Sequence, residues 1–378
     1  MGKRGNNSKK RRRTSAEGGK GPKRKFPVDK AEDDNAKEDG GVPAWDHLQD
    51  ELILRIFFLL PLRDLVRTSV ACRRWHRLAF DESLWHSVDL QGVINTGLAL
   101  EQVLKTGVRR LSFPGVHIDN RYLRNMCRLK ITEMDLSMTE IKTTTLERII
   151  GCCTRLECLS LSGMKLSCAI LLGLSYNRHL RQLNLSGCYG FTAPSLARML
   201  RSCSRIQHLN MSGCRFNRHI VKSIFNNVSS TVTALDLSGK YCYSSLDDLK
   251  AFVKRCPDVC MLHFNNWRIT MGFLAVLSKL KDLVHLSLNG CLGLDLAAIT
   301  DIKKTFPSLK YLRVIPAAHI REMSSLEEAN PSVCVNLFPS FVIASPKQPR
   351  ESVGDLRMWD RTIRLRFTSR PLARIWLG

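Results

Sequence analysis

The sequence predicts an α/β protein with a small three-helix unit, then a curved repeat solenoid with a concave parallel sheet, behind a disordered basic N-terminus. Three observations predict it. A short leucine-centred phrase returns every 23 to 27 residues between Leu111 and Leu312. Apolar residues fall at helical spacing between Trp45 and Trp85. The first 41 residues are charged and nearly free of large apolar side chains.

Composition excludes several classes of protein. The 378 residues are 44% hydrophobic, enough for a substantial core, yet no uninterrupted apolar stretch approaches a membrane span. The basic N-terminus lacks the apolar run of a signal peptide, so we expect the chain inside the cell, where its 14 cysteines are free thiols. The net charge of +24 favours acidic partners, either nucleic acid or an acidic protein surface.

Residues 1–41 are predicted to be a disordered tail with two basic clusters that resemble a bipartite nuclear import signal. The clusters are Lys9, Lys10, Arg11, Arg12 and Arg13, and then Lys23, Arg24 and Lys25. The alternatives are a solvated tail without a dedicated reader and a nucleic-acid arm. Nucleic-acid binding is disfavoured because Phe26 is the only aromatic residue there. We expect a nuclear protein that is also present in the cytoplasm.

Residues 42–86 are predicted to form three short helices. Asp46 is the expected N-cap of the first helix, and Pro61 is expected to end it. Its helically spaced apolar residues are Leu48, Leu52, Ile53, Ile56, Phe57 and Leu60. A second helix runs through Leu65, Val66 and Val70, and a third spans residues 73–80. Because three short helices make a very small core, a partner is expected to cover some of these apolar side chains.

Residues 87–338 carry the phrase in forms such as LECLSLSGMKL, LRQLNLSGCYGF, IQHLNMSGCRF and LVHLSLNGCLGL, which is that of a leucine-rich repeat. Its central positions are Leu111, Met134, Leu159, Leu183, Leu209, Leu235, Leu262, Leu286 and Leu312. Each L-x-L predicts a strand with inward leucines, followed by a helix such as 193–202 or 246–255. Atypical units are predicted at residues 88–90 and 333–335, and we expect about ten units in all.

The cysteines recur at fixed places in the repeat. Cys188, Cys214 and Cys291 lie five residues after a central leucine, whereas Cys153, Cys203 and Cys256 lie six residues before one. A thiol at a constant repeat position is expected to fill a small buried site and donate a weak hydrogen bond. This spacing does not follow the pattern of a zinc site, so no metal is expected.

The residues between the inward leucines are predicted to face the concave side and to bind a target or accessory protein. The candidates are His263, Asn265, Ser287, Asn289 and Arg313, with Trp267 as a possible anchor. The alternative is an ordinary solvated face. Residues 339–378 form an arginine-rich tail in which Trp359 is a further candidate. This tail is expected to recognise phosphate or acidic peptide, to pack back along the sheet, or both.

The segment WDHLQDELILRIFFLLPLRDLVRTSVACRRWHRLAFDESLW resembles the F-box family, whose pattern opens with L-P-x-E-[LI]-x-x-x-I-[FL] and closes with V-C-[KR]-x-W. The matching residues are Leu48, Glu51, Leu52, Ile56 and Phe57, and then Val70, Cys72, Arg73 and Trp75. Gln49 stands where the family usually has proline. The resemblance implies an adaptor-binding surface made of Trp45, Leu48, Gln49, Glu51, Leu52, Ile53, Ile56, Leu60, Val70, Cys72 and Trp75.

An F-box followed by cysteine-containing repeats is similar to the F-box/leucine-rich-repeat family, and the similarity continues at CRRWHRLAFDESLWHSVDLQG, NLSGCYGF and RCPDVCML. The resemblance implies a substrate receptor that joins a Skp-type adaptor and a cullin in a ubiquitin ligase. It also implies phosphorylated substrates, such as Kip-type cyclin-dependent kinase inhibitors, and a Cks-type accessory subunit. The alternatives are a helical cap in place of the F-box, and a nuclear scaffold that binds nucleic acid or acidic proteins without a cullin.

No catalytic motif stands out in the sequence. It lacks G-x-G-x-x-G, a P-loop, H-E-x-x-H and G-x-S-x-G, and its ten histidines are scattered. We therefore expect no enzyme activity of its own, no cofactor and no membrane contact.

Overall fold

The computed structural model describes residues 45, 47–60, 62–90, 96–118, 128–240, 242–270, 272–294, 297–314, 326, 328–336 and 363–364. The chain divides into two compact units, residues 1–48 and 49–378. Only residues 45, 47 and 48 are described in the first unit. All helices and strands named below belong to the second unit.

The second unit begins with helices and continues with alternating strands and helices. The helices are α1 (Asp50–Leu59), α2 (Leu62–Thr68), α3 (Arg73–Ala79), α4 (Thr96–Lys105), α5 (Thr143–Cys152), α6 (Cys168–Leu174), α7 (Ala193–Ser202), α8 (Arg218–Asn227), α9 (Leu246–Arg255), α10 (Phe273–Leu277), α11 (Ala297–Thr300) and α12 (Ile302–Thr305), with a 3-10 helix at Glu82–Leu84. The strands are β1 (Ser87–Asp89), β2 (Arg110–Ser112), β3 (Glu133–Asp135), β4 (Cys158–Ser160), β5 (Gln182–Asn184), β6 (His208–Asn210), β7 (Ala234–Asp236), β8 (Met261–His263), β9 (His285–Ser287), β10 (Tyr311–Arg313), β11 (Cys334–Val335) and β12 (Ile363–Arg364).

Strands β1 to β11 form one parallel sheet in chain order. The pairing aligns the nine predicted central residues, from Leu111 opposite Met134 to Leu286 opposite Leu312, so the predicted repeat register is confirmed. Val88 pairs with Leu111 and Val335 with Leu312, which also confirms the two atypical units. Strand β12 pairs in parallel with β1, so residues 363–364 of the tail extend the first edge of the sheet.

The fifth strand and its helix show how the sequence builds one unit. Leu183 and Leu185 are fully buried, whereas the side chain of Asn184 lies on the other face of the strand. Thr192 caps α7 through a reciprocal capping box with Ser195. Leu196, Met199 and Leu200 then bury one side of the helix against the neighbouring units. One unit leaves its leucines exposed, so stacking with its neighbours is what buries them.

The three-helix part differs from its prediction at the start. Helix α1 begins at Asp50 with Gln49 as its N-cap, so the prediction of Asp46 as the cap is wrong. The Asp50 carboxylate accepts a hydrogen bond from the Arg74 guanidinium at 2.9 Å and also pairs with Arg77, which ties α1 to α3. The start of α1 has no side-chain cap, and these ion pairs between α1 and α3 hold it in place. Among the described residues, no helix is both long and apolar enough to cross a membrane.

Candidate protein-interaction surfaces

Helix α1 is apolar on two sides. Ile53 and Phe57 point into the core of the helical part, where Ile53 is completely buried. Leu52 and Ile56 lie one helical turn apart on another side and remain 42% and 38% exposed, and Leu59 at the end of that stripe is 81% exposed. Aliphatic side chains left in water at consecutive turns are typical of a surface that a partner covers.

The start of α3 lies close to the core of α1. The Cys72 sulfur caps α3 by accepting a hydrogen bond from the Trp75 amide at 3.4 Å. The Trp75 indole packs edge-on against Phe57, with ring centroids 5.4 Å apart. Val70, just before this cap, is largely exposed. The closing motif therefore both anchors α3 and places one more aliphatic side chain on the surface.

Most of the predicted adaptor-binding side chains are accessible. Seven are exposed and three are half-buried: Trp45, Gln49, Glu51, Leu52, Ile56, Val70 and Cys72, and then Leu48, Leu60 and Trp75. The prediction for Ile53 is wrong, because its side chain fills the core between the helices and has no surface to offer. That the accessible side chains bind an adaptor stays a prediction.

The polar face of the sheet, which carries the residues between the inward leucines, is held together by its own hydrogen bonds. Asp135, Asn184, Asn210 and Asp236 each accept a hydrogen bond from the backbone amide two residues on, at 2.8 to 3.0 Å. All four side chains are buried by their neighbours along the ladder. The interpretation as an ordinary solvated face is therefore wrong for this row, because adjacent strands bring its side chains into contact.

Four of the predicted binding residues come together on β8, β9 and the turns after them. The Asn265 side-chain oxygen accepts hydrogen bonds from the Ser287 hydroxyl at 2.6 Å and from the Asn289 amide at 2.9 Å. His263 Nδ1 lies 3.3 Å from a carboxylate oxygen of Asp236. His263 and Ser287 are buried, whereas Asn265 and Asn289 are half-buried and remain partly accessible. Because these contacts fix the side chains before any ligand arrives, the four residues make a preorganised polar patch.

Trp267 is not part of this patch, and its prediction as an anchor is wrong. Its indole is completely buried, donates a hydrogen bond to the Leu237 carbonyl at 2.7 Å and packs against Phe264. Arg313 is half-buried at the end of β10. Trp359 lies outside the described residues, as do the basic import residues 9–13 and 23–25.

Sequence reasoning missed an aromatic pair beside the patch. His285 on β9 and Tyr311 on β10 stack with ring centroids 4.3 Å apart and an angle of 6° between their planes. Burial, with the nearby His263 and Lys310, lowers the pKa of His285 to about 4, so the ring is neutral near pH 7. The two residues occupy the same position before successive central leucines, which is the signal that could have revealed the stack.

The six recurring cysteines are buried as predicted. The thiols of Cys188, Cys214 and Cys291 are buried and donate to the carbonyls of Leu161, Leu185 and Phe264 at 2.9 to 3.1 Å. Burial raises the pKa of Cys188 and of Cys214 to about 12, which keeps both protonated and poor nucleophiles. Within the described part of the chain, no three His, Cys, Asp or Glu side chains are grouped so that they could hold a metal ion.

Comparison with known families decides what these two surfaces belong to. A family described as SKP2 LRR domain matches residues 98–366, and one described as F-box-like matches residues 45–91. The first match alone covers more than half of the chain. The chain is a member of the F-box/leucine-rich-repeat family. The resemblance seen in the sequence is thereby confirmed, and so is the succession of a helical F-box and a parallel repeat sheet.

Several curated F-box/leucine-rich-repeat proteins are similar to this member. Human F-box/LRR-repeat protein 12 is 29% identical over 206 residues, which cover 44% of this chain and 63% of the relative. Putative F-box/LRR-repeat protein 23 of Arabidopsis thaliana is 22% identical over 280 residues, 71% of this chain and 53% of the relative. The matched part thus spans less than two thirds of these relatives.

Two solved structures of Listeria monocytogenes strain 4b F2365 are also similar to this chain. They are internalin C2, with a TM-score of 0.34 and 18% identity, and an internalin named inlF, with a TM-score of 0.41 and 16% identity. The first covers 52% of this chain and 73% of its own, and the second 64% and 70%. Scores this low carry no argument about function.

Proposed function

We propose that this protein is the substrate receptor of a Skp–cullin–F-box ubiquitin ligase. The observation that carries the proposal is the exposed aliphatic stripe of Leu52, Ile56 and Leu59 on α1, within a segment that matches the F-box family. An F-box implies a Skp1-type adaptor, and the adaptor would link the chain to a cullin. Burying the stripe would contribute about 1–2 kcal/mol for each large aliphatic side chain.

The receptor acts by position and carries out no chemistry of its own. Its F-box would fix the chain to the ligase while its repeats hold a target protein. Holding the target raises the effective concentration of its lysines near the ubiquitin-conjugating enzyme.

The target or an accessory protein would bind the preorganised patch of His263, Asn265, Ser287 and Asn289, with Arg313 beside it. The half-buried Asn265 and Asn289 would offer hydrogen-bonding groups, and the buried His263 and Ser287 would hold the patch in shape. Arg313 would offer a guanidinium for carboxylate or phosphate. By resemblance, the targets are phosphorylated cell-cycle regulators such as Kip-type cyclin-dependent kinase inhibitors, and a Cks-type subunit assists. By the same reasoning, the two basic clusters at residues 9–13 and 23–25 would direct the protein to the nucleus.

The test is co-purification of the full chain with a Skp1-type adaptor. The informative variant is the double substitution Leu52→Ala and Ile56→Ala, which trims the exposed stripe and leaves the buried Ile53 in place. A matched control is Leu172→Ala with Tyr176→Ala on α6 and just after it, where the wild-type side chains are 37% and 62% exposed. Both variants lose exposed apolar surface from one helical region, so their effects on solubility are comparable.

We expect the wild type and the control to retain the adaptor and the α1 variant to lose it. Equal retention by all three proteins would refute the adaptor role of the stripe. If the folded wild type fails to retain the adaptor at all, the receptor function is wrong. A nuclear scaffold without a cullin would then be the better explanation.

A further inference from the structure

The sheet has a charged edge that the proposed function does not use. Each unit crosses this edge at the loop between a helix and the next strand. We define the edge position of a unit as the residue that comes four positions before its central leucine. In the units of β3 to β6 the edge positions are basic: Lys130, Arg155, His179 and Arg205. In the units of β7 to β10 they are Thr231, Asp258, Asp282 and Ser308. The edge positions are therefore basic in the middle of the sheet, whereas farther on the charges of Asp258 and Asp282 are offset by the exposed Lys281 and Lys310 beside them.

The stacking of the units brings these side chains close together. Strand pairing aligns Leu159, Leu183 and Leu209. Backbone hydrogen bonds between units also occur just before the strands, where the Arg181 amide donates to the Glu157 carbonyl at 2.7 Å. Neighbouring units are therefore about 5 Å apart at this level. The Arg205 guanidinium donates to Nδ1 of His179 across a distance of 3.3 Å, so two basic side chains touch.

Five basic side chains at these positions or beside them remain available to a ligand, and we call them the basic edge: Arg155, Arg178, His179, Arg181 and Arg205. All five are exposed, and none is paired with a carboxylate of a described residue. Lys130 is excluded because Glu82 lies 2.5 Å from its ammonium. The half-buried carboxylate of Glu157 lies in the same region, and that of the nearby Glu133 is paired with Arg110, so the edge keeps a net positive charge.

Helix stability does not explain these cations. A positive side chain after a helix C-terminus can interact with the helix dipole, and Arg155 and Arg205 each come three residues after α5 and α7 end. However, Asp258 comes three residues after α9 ends, at the same place in its unit. Asp282 follows α10 by five residues, just as His179 follows α6. The fold therefore accepts either sign of charge at this position.

We propose that the basic edge binds a short, extended, carboxylate-rich segment of a partner protein. Arg155 and Arg205 are two units apart, about 10 Å along the edge, which equals about three residues of an extended chain. Acidic residues spaced by three would thus meet both guanidinium groups, whose planar forks match carboxylates. The run of basic edge positions ends at β6, so a short ligand is enough to cover it. The carboxylate spacing of three residues is the ground for choosing an acidic peptide, and nucleic acid is the alternative that the test separates.

This inference goes beyond the proposed function, since it does not depend on the adaptor or on the ligase. The probe is a fluorescein-labelled peptide of glycine with glutamate at every third position, and its anisotropy is measured with the full chain. A peptide with glutamine in place of glutamate serves as the ligand control. The edge variant is Arg155→Gln with Arg205→Gln. The matched variant is Arg215→Gln with Arg218→Gln at the opposite edge. Arg215 is an exposed residue of the β6–α8 connection, and Arg218 is the exposed first residue of α8.

We expect the glutamate peptide to bind, the edge variant to bind it about tenfold more weakly, and the matched variant to bind like the wild type. No binding, or an equal loss in both variants, would overturn the assignment of this surface. An oligothymidylate that binds through Arg155 and Arg205 more tightly than the peptide would overturn the choice of ligand. Adaptor co-purification of the edge variant, expected to be normal, separates a failure here from a failure of the receptor function.

Discussion

The most direct test of how the units are joined is the substitution Asn177→Ala. This side chain is completely buried, and it connects the α5–β4 loop to the end of α6. Its oxygen accepts a hydrogen bond from the Leu156 amide at 2.8 Å, and its nitrogen donates to the Cys153 carbonyl at 3.0 Å. Alanine would leave both backbone groups buried without these partners.

An unsatisfied buried backbone group costs about 1–3 kcal/mol, so losing both contacts should lower the free energy of unfolding by about 2–5 kcal/mol. A matched control is Asn227→Ala at the end of α8, where the side chain bonds only within its own helix, to the Ser223 carbonyl. That change should stay within about 0.5 kcal/mol. Urea unfolding followed by far-UV circular dichroism would measure both.

A clearly lower midpoint for Asn177→Ala, with little change for the control, is the expected result. Equal midpoints for Asn177→Ala and Asn227→Ala would refute the reasoning, since they would mean that water or a relaxed loop satisfies the two backbone groups. In that case the asparagine would contribute nothing specific to the stacking of the units.

Two further predictions concern the F-box and the polar face. Gln49 has φ −66° and ψ 149°, a conformation that proline adopts, and its amide donates no backbone hydrogen bond to a described residue. Gln49→Pro should therefore raise the free energy of unfolding by about 0.5–1 kcal/mol. A fall in the melting temperature would contradict this. The pKa of His285 lies below its unfolded value of 6.5. Its contribution to the free energy of unfolding is therefore complete above pH 6.5 and is lost as the pH falls towards about 4. The free energy of unfolding should fall by about 3 kcal/mol over this range, as measured by denaturation at a series of pH values. His285→Phe should reduce the pH dependence of the free energy of unfolding, whereas the control His219→Phe, at an exposed site, should leave it unchanged. An unchanged pH dependence in His285→Phe would rule out His285 as its cause.

The sequence was most informative where one physical requirement repeats. The alternation of leucines with polar residues predicted every central strand position, from Leu111 to Leu312, and the sheet aligns them as expected. The buried thiols followed from the same period. The F-box was recognisable because its apolar residues must keep a fixed order and spacing to build three small helices.

Burial at single positions was less predictable. Ile53 and Leu52 are neighbours in the same apolar run, and only the packing of α1 against the other helices decides that one is buried and the other exposed. Trp267 follows a strand like the polar residues near it, yet the turn directs its indole inward to the Leu237 carbonyl. Helical or strand periodicity gives a direction to a side chain, and the neighbouring elements decide what it meets there.

The sequence by itself thus determined the repeat, its register and the family, because these depend on a local pattern of residues that is present in each unit. The tertiary structure decided which residues of different units act together: Asn265 with Ser287, His285 with Tyr311, and Arg205 with His179. Members of these pairs are 22 to 26 residues apart in the chain. They become neighbours only because parallel strands lie about 5 Å apart, so that equivalent positions in successive units face one another.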